Sequence, residues 1–234
     1  MVRLKNALGA ELILPPTIHM PRTSFDVRVP TQRLVGADGA VVTNKPTVAE
    51  KTETLEGRLY YRGDKEKVRQ EADRLLAFLM HYPIEIYPPW ADGRCFVGYP
   101  QGMPQHWIDK GIELDLKVPF LVLDPYWYKE KVELTLSGTQ YIEVEGNTPV
   151  IPFIETTSTV PSLAVTSGDY EISITGASGK IEIDSVNFEV KVDGENRIDL
   201  ANDSWKAFGF ALFPGENLIS SNVEIKLSFR PRWF

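Results

Sequence analysis

The 234-residue chain has few of the residues that form disulfides or metal sites, since it contains one cysteine and three histidines. Because Cys95 has no partner cysteine, an intrachain disulfide is excluded. We interpret Cys95 as a structural thiol beside the apolar residues Phe96 and Val97. The histidines are scattered singly, without zinc-ligand spacing, so we expect no metal site. No nucleophile-elbow motif or glycine-rich phosphate loop is present. The sequence therefore predicts no catalytic and no cofactor-binding residues.

Long apolar runs and a basic excess are also absent. No stretch approaches the roughly 20 apolar residues that span a bilayer, and the N-terminus lacks the pattern of a signal peptide, so we expect no membrane contact and no export by that route. The formal net charge is −7. Residues 1–130 hold 17 basic and 17 acidic residues, whereas residues 131–234 hold 8 and 15. An acidic second half argues against a nucleic-acid grip, which depends on clustered lysine and arginine.

Short alternating segments dominate the second half of the chain. Near residue 230, apolar residues alternate with polar ones, as in a strand with one buried face. The apolar residues are Val223, Ile225, Leu227 and Phe229. The same pattern predicts a strand over residues 186–192, a turn at residues 193–194, and a further strand through residues 198–200. The 17 prolines and 17 glycines favour many turns over long helices.

One helix is predicted, over residues 64–82. Asp64 is placed to cap its first turn, and Pro83 ends it. Apolar residues at three- and four-residue spacing form one stripe: Val68, Ala72, Leu75, Leu76 and Leu79. We interpret the stripe as a core-packing face. The alternative is a helix that also meets a second subunit, with Phe78 and Met80 widening the stripe.

The change in charge balance and in the pattern of elements predicts two domains, residues 1–130 and residues 131–234. The fold class is mainly β: an N-terminal α+β domain with one main helix, and a C-terminal domain of two packed antiparallel sheets. Residues 37–51 are polar and are interpreted as an exposed loop, with a hairpin arm as the alternative.

Two other functions have some support in the residues. Trp205 falls in a predicted loop of the β-sandwich and is a candidate sugar platform, which would make the chain a carbohydrate-binding module. The aromatic run at residues 126–128 is interpreted as packing between the domains. Acid pairs such as Asp184 and Asp199 leave two-carboxylate glycoside hydrolysis open, although such pairs are expected by chance among 32 acidic residues.

Several segments, in order, resemble the distal tail protein family of long-tailed (siphovirus-type) bacteriophages. In the first domain these are "TLEGRLYYRGDKEKVRQEADRLLAFL" and "VPFLVLDPYWY". In the second they are "GNTPVIPFIE", "GKIEIDSVNFEVKVDGEN", "LFPGENLIS" and "VEIKLSFRPRW", with the Pro-Gly-Glu-Asn turn at residues 214–217. The resemblance covers nearly the whole chain as a loose pattern.

The resemblance implies a non-enzymatic virion structural protein of a phage or prophage tail tip. Its first domain would form a hexameric ring that continues the tail tube, and its second would be a galectin-like β-sandwich. The implied partners are the tail tube protein, a tail-fibre or tail-associated lysin protein, and receptor-binding or baseplate proteins. DNA would pass through the channel of this baseplate hub without specific binding, and assembly would take place in the host cytoplasm. A subunit interface is then expected at Phe78, Leu79 and Met80 and at residues 37–51.

Overall fold

The computed structural model describes residues 1–22, 27–28, 31–32, 41–42, 47–48, 51–103, 105–108, 112–124 and 126–234. The chain divides into two compact units, Met1–Trp127 and Tyr128–Phe234. Both are built mainly from antiparallel strands, as the sequence predicts. Within the described ranges, no helix combines the length and apolarity that a bilayer crossing requires.

The first unit is organised around one large sheet. The sheet runs in the order β2-β1-β9-β10-β12-β8-β3, and β11 also pairs with β12. The strands up to the division between the units are β1 Arg3–Lys5, β2 Glu11–Ile13, β3 Ile18–His19, β4 Val27–Arg28, β5 Thr31–Gln32, β6 Val41–Val42, β7 Thr47–Val48, β8 Lys51–Tyr60, β9 Ile84–Tyr87, β10 Phe96–Pro100, β11 Gln105–Ile108, β12 Glu113–Val122 and β13 Trp127–Tyr128.

Strand β12 shows why this sheet has one buried face. Its even-numbered residues from Leu114 to Val122 are all buried, because alternate side chains of a strand point to the same side. Strand β8 pairs with β12 along its whole length and buries Leu55 and Leu59 against the same core. At Gly57 the backbone of β3 passes so close that a Cβ atom would collide with the Thr17 carbonyl. Glycine is therefore required at this position.

Helix α1 spans Lys65–Leu79 and packs on β8 and β12. The predicted cap is confirmed: the backbone N–H of Lys67 donates to Asp64 Oδ1 at 3.1 Å. The stripe residues Val68, Ala72, Leu75 and Leu79 are buried. Leu76 is 43% exposed, so the predicted stripe is one residue too wide.

Four two-residue strands pair in a nested antiparallel order. Val27 lies opposite Val48 in the β4–β7 pair, and Thr31 lies opposite Val42 in the β5–β6 pair. At residues 41–42 and 47–48 the structure therefore has the hairpin-arm alternative, not the loop. Lys51 begins β8, and the other residues of the predicted loop lie outside the described residues.

The second unit contains a large sheet in the order β17-β16-β21-β15-β18-β19-β20, and β14 also pairs with β21. Its core includes Ile154, Val165, Ile183, Phe210 and Leu227. The strands of this unit after β13 are β14 Val132–Val144, β15 Phe153–Thr156, β16 Val160–Ser167, β17 Tyr170–Gly179, β18 Ile181–Asp184, β19 Glu189–Val192, β20 Glu195–Asn196, β21 Gly215–Phe229 and β22 Arg232–Trp233.

The region from residue 181 to residue 208 differs from the sequence prediction. The predicted strand over residues 186–192 is interrupted, because residues 185–188 form a turn and only Glu189–Val192 continue as β19. The turn at Asp193 and Gly194 is confirmed, with φ of +50° and +85°. Ile198–Leu200 form a 3₁₀ turn instead of a strand, and α2 (Asp203–Phe208) follows.

The two short motifs quoted from this unit have structural roles. The predicted turn at residues 214–217 is limited to a bend at Pro214, because strand β21 already begins at Gly215. Beside this bend, Asn217 accepts from the Phe213 backbone N–H at 3.0 Å and donates to the carbonyls of Phe213 and Gly215. Asn147 holds the C-terminus in the same way, because its Oδ1 accepts from the Phe234 backbone N–H at 2.7 Å. A buried amide at Asn217 and an exposed one at Asn147 therefore substitute for backbone pairing at two loop ends.

Candidate interaction surfaces

The three predicted interface residues at the end of α1 lie in different environments. Leu79 is 4% exposed and belongs to the core, so it has no free surface for a neighbouring subunit, which corrects the prediction for this residue. Phe78 is partly buried and packs against the same core. Met80 is 67% exposed. Since each helical residue turns about 100°, Phe78 and Met80 project about 200° apart around the axis and do not form one patch.

Met80 belongs to a larger exposed apolar surface. Leu76 lies one turn before it, and Tyr82 follows it at 59% exposure. The Tyr82 ring meets the Tyr99 ring edge-on at 6.3 Å. The backbone N–H of Ala7 donates to the His81 carbonyl at 3.0 Å, which places Leu8, 72% exposed, beside this region. We call Leu8, Leu76, Met80, Tyr82 and Tyr99 the helix-end surface.

Sequence reasoning found only part of the helix-end surface. Leu8 and Tyr99 come from a hairpin and a strand that are far from α1 along the chain. The exposed aromatic and aliphatic residues Tyr82 and Leu8 carry no motif, and only the fold brings them together. Several exposed apolar side chains in one region are typical of protein–protein contact sites.

Trp205, the candidate sugar platform, is fully buried at 0% exposed. Its indole N–H donates to Ser185 Oγ at 3.0 Å, and its ring lies 5.7 Å from that of Phe188. The sequence placed Trp205 in an exposed loop, whereas it lies in α2 on the core side. The indole face is not available to stack on a sugar, and the prediction is corrected for this residue.

The turn that Trp205 supports is held by one carboxylate. Asp184 Oδ1 accepts from the backbone N–H groups of Val186 and Asn187, at 2.9 and 3.1 Å. Phe188 has a positive φ of 54°, which is rare for a bulky side chain. Val186 and Phe188 are 62% and 42% exposed as a result. The turn presents apolar side chains to solvent on a rigid backbone.

The aromatic run at residues 126–128 divides between the two units. Trp127 packs inside the first unit, with its ring 5.4 Å from Trp90 and 5.2 Å from Phe96. Tyr128, in the second unit, lies under the guanidinium of Arg230 at 5.2 Å. Trp127 and Tyr128 thus each have a ring contact within their own unit, and packing of the run between the domains stays a prediction.

The acid pair considered for glycoside hydrolysis is already engaged. Asp184 holds the turn described above, and Asp199 accepts from the Arg197 guanidinium at 3.1 and 3.2 Å. The Arg197 hydrogen bond lowers the pKa of Asp199, which disfavours the protonated form that a general acid needs. Among the described residues, no group of three or more histidine, cysteine, aspartate or glutamate side chains is placed to hold a metal ion.

The fold is similar to solved structures of phage proteins. The SPP1 Dit protein, described as a paradigm of hub adsorption apparatus in Gram-positive infecting phages, matches with a TM-score of 0.71 and 12% identity, over 100% of both chains. Chains from the phage P2 baseplate in its activated conformation, with Ca and with Sr, match with a TM-score of 0.56 and 9% identity. Those matches cover 97% of this chain and 98% of theirs.

No protein-family model matches the chain, and no curated protein matches it by sequence. Similarity at 9 to 12% identity establishes the fold. The mainly β, two-unit chain with one main helix therefore has the fold of the SPP1 Dit protein over its whole length.

Proposed function

We propose that this chain is a distal tail protein, a non-enzymatic structural hub at the tip of a phage tail. The observation that carries the proposal is the full-length fold match, which covers both units of this chain and all of the SPP1 Dit protein. A match confined to one unit would fit any protein that shares that domain. The segments in which the sequence resembles that family, in the same order along both units, are consistent with the proposal.

In this proposal the first unit forms a hexameric ring that continues the tail tube, and DNA passes through its channel. A closed ring requires a heterologous contact, in which two different patches of one subunit meet two neighbours. The helix-end surface supplies one such patch, because five side chains there are at least a third exposed in the single chain. The equal numbers of basic and acidic residues in residues 1–130 allow copies to pack without net repulsion.

The second unit, a galectin-like β-sandwich, then faces outward as an attachment module. We propose that it and the ring connect the tail tube protein to a tail-fibre or tail-associated lysin protein and to receptor-binding or baseplate proteins. The protein is placed in the virion tail tip, after assembly in the cytoplasm of the bacterial host. Rigid apolar turns such as the one holding Val186 and Phe188 suit a contact surface of this kind.

Substitution of Met80 tests the ring contact. Met80→Glu puts a charge into the helix-end surface, and desolvation of an unpaired charge costs several kcal/mol. We expect the variant to lose the hexamer while its circular dichroism spectrum and unfolding temperature are unchanged. Gln70→Glu is the control, because Gln70 is exposed on the same helix and the charge change is equal. It also replaces the 3.4 Å hydrogen bond from Gln70 to Glu66 with a like-charge pair, which costs only about 0.5 kcal/mol or less.

Absolute mass by light scattering behind a sizing column, over a wide concentration range, gives the readout. Loss of the oligomer in both variants would indicate a general charge effect. Retention of the oligomer in the Met80→Glu variant would remove the helix-end surface from the ring contact. Absence of any oligomer in the unsubstituted protein would count against the ring itself.

A further inference from the structure

One exposed part of the second unit's sheet has apolar and acidic side chains next to each other. In the register of β14 and β21, Tyr141 lies opposite Leu218, and Glu143 lies opposite Glu216. Because side chains two residues apart on a strand point the same way, these four share one face. Tyr141 is 66% exposed and Leu218 44%. We call these four residues the Tyr141–Leu218 face.

The glutamate pair in this face is electrostatically unfavourable in the isolated chain. Like charges directly opposite each other on neighbouring strands are destabilising. Among the described residues, no lysine, arginine or histidine forms an ion pair with the carboxylate of Glu143 or of Glu216. The two glutamates are therefore neighbouring like charges without an ion-pair partner in the described part of the chain.

The opposite end of the same two strands has the usual solution. There Glu133 lies between two lysines, with Lys226 Nζ and Lys131 Nζ each 2.9 Å from its oxygens. At one end of the two strands, Glu133 therefore forms ion pairs with lysines. At the other end, Glu143 lies opposite Glu216. The contrast shows that the Tyr141–Leu218 face lacks the cation that its sheet supplies elsewhere.

We propose that the Tyr141–Leu218 face binds an arginine side chain on a segment of a partner protein. Tyr141, Glu143 and Glu216, with Ile142, line an open recess of about 400 Å³. A guanidinium has a rigid fork of donors that can reach both carboxylates, and its planar group also stacks on an aromatic ring. The aliphatic part of the arginine would cover Leu218.

Charge complementarity identifies the occupant. Residues 131–234 hold 15 acidic and 8 basic residues, so a basic segment approaches a favourable field. Arginine fits better than lysine, because the ammonium group is a point charge and lacks the planar fork. All four residues of the Tyr141–Leu218 face lie in the second unit, so arginine binding there does not depend on ring assembly.

The test uses the full chain and a defined probe. Saturation-transfer NMR measures binding of the peptide acetyl-Gly-Gly-Arg-Gly-Gly-amide and of its citrulline analogue, which keeps the shape of arginine but is neutral. We expect saturable binding of the arginine peptide and about tenfold weaker binding of the citrulline peptide, a difference of about 1.4 kcal/mol. Equal binding of the two peptides would overturn the proposal, as would no saturable binding.

Three variants locate the site. The double substitution Glu143→Gln and Glu216→Gln keeps the side-chain volumes and should weaken arginine binding about tenfold. Tyr141→Ala should weaken it about threefold, because general attraction to an acidic surface does not depend on this ring. Glu171→Gln, at an exposed glutamate on β17, is the matched control and should leave binding unchanged.

The unfolding temperature of the Glu143→Gln/Glu216→Gln variant shows whether weaker arginine binding comes from a folding defect. Removal of the like-charge pair should raise the unfolding temperature of the double variant, whereas its affinity for the arginine peptide should fall. A folding defect would lower both. Weakening by Glu171→Gln as large as that of the double variant would overturn the proposed site in favour of non-specific attraction. Full binding by the Tyr141→Ala variant would do the same.

Discussion

Trp205 is the residue whose role separates a structural account of the second unit from a sugar-binding one. Its indole is completely buried, and truncation of a buried Trp to Ala costs about 3–5 kcal/mol. At about 4–8 °C per kcal/mol for a domain of this size, the unfolding temperature of the second unit should fall by more than about 10 °C. Trp205→Phe keeps a ring beside Phe188 but removes the donor to Ser185 Oγ, 3.0 Å away, at a cost of about 1–3 kcal/mol.

Differential scanning calorimetry of the full chain measures this, because the two units can unfold in separate transitions. Hydrogen exchange of residues 170–184 and 215–229 assigns the transition of the second unit. Phe208→Ala is the control: the side chain is in the same helix but 77% exposed, so we expect a change within about 0.5 kcal/mol. A cost below about 1 kcal/mol for Trp205→Ala, combined with loss of glycan binding, would refute the core role.

Three further predictions concern the fold. Asn217→Ala removes three hydrogen bonds to the backbone of residues 213 and 215 and should destabilise the second unit by about 1–3 kcal/mol in urea unfolding. Asn222→Ala removes a single exposed hydrogen bond, from the Ala164 backbone N–H, and should cost less. Gly57→Ala should cost more than about 1 kcal/mol, because its Cβ atom meets the Thr17 carbonyl and φ is +155°; a variant as stable as the parent in the same assay would contradict this account. Lys226 and Lys131 lower the pKa of Glu133 to about 2, so its stabilising contribution is present above about pH 5 and is lost as the pH falls toward 2. Glu133→Gln should flatten the acid limb of the unfolding curve, and an unchanged limb would contradict the pairing.

Local patterns predicted much of the fold. The helix with its Asp64 cap and buried face, and the alternation of β21 from Val223 to Phe229, depend on neighbours in sequence and on one buried side, which periodicity records directly. The positive φ of Asp193 and Gly194 is likewise a local property of the dipeptide.

The errors occurred where the hydrophobic pattern does not record what decides the structure. The alternation through Val186 and Phe188 has the period of a strand, but Asp184 and the buried Trp205 hold these residues in a turn. α2 has only six residues, too few for periodicity to identify. The helix-end surface combines residues from a hairpin, a helix and a strand, so its assembly depends on tertiary contacts that a single segment does not encode.

The central claim is that this chain assembles as a ring. Light scattering of the purified protein, alone and co-expressed with the tail tube protein, measures it most directly. The account predicts a species of about six times the 26.4 kDa chain mass, with a central channel in electron micrographs. A 26.4 kDa species at every concentration, with and without the tube protein, and no ring in the micrographs, would contradict it.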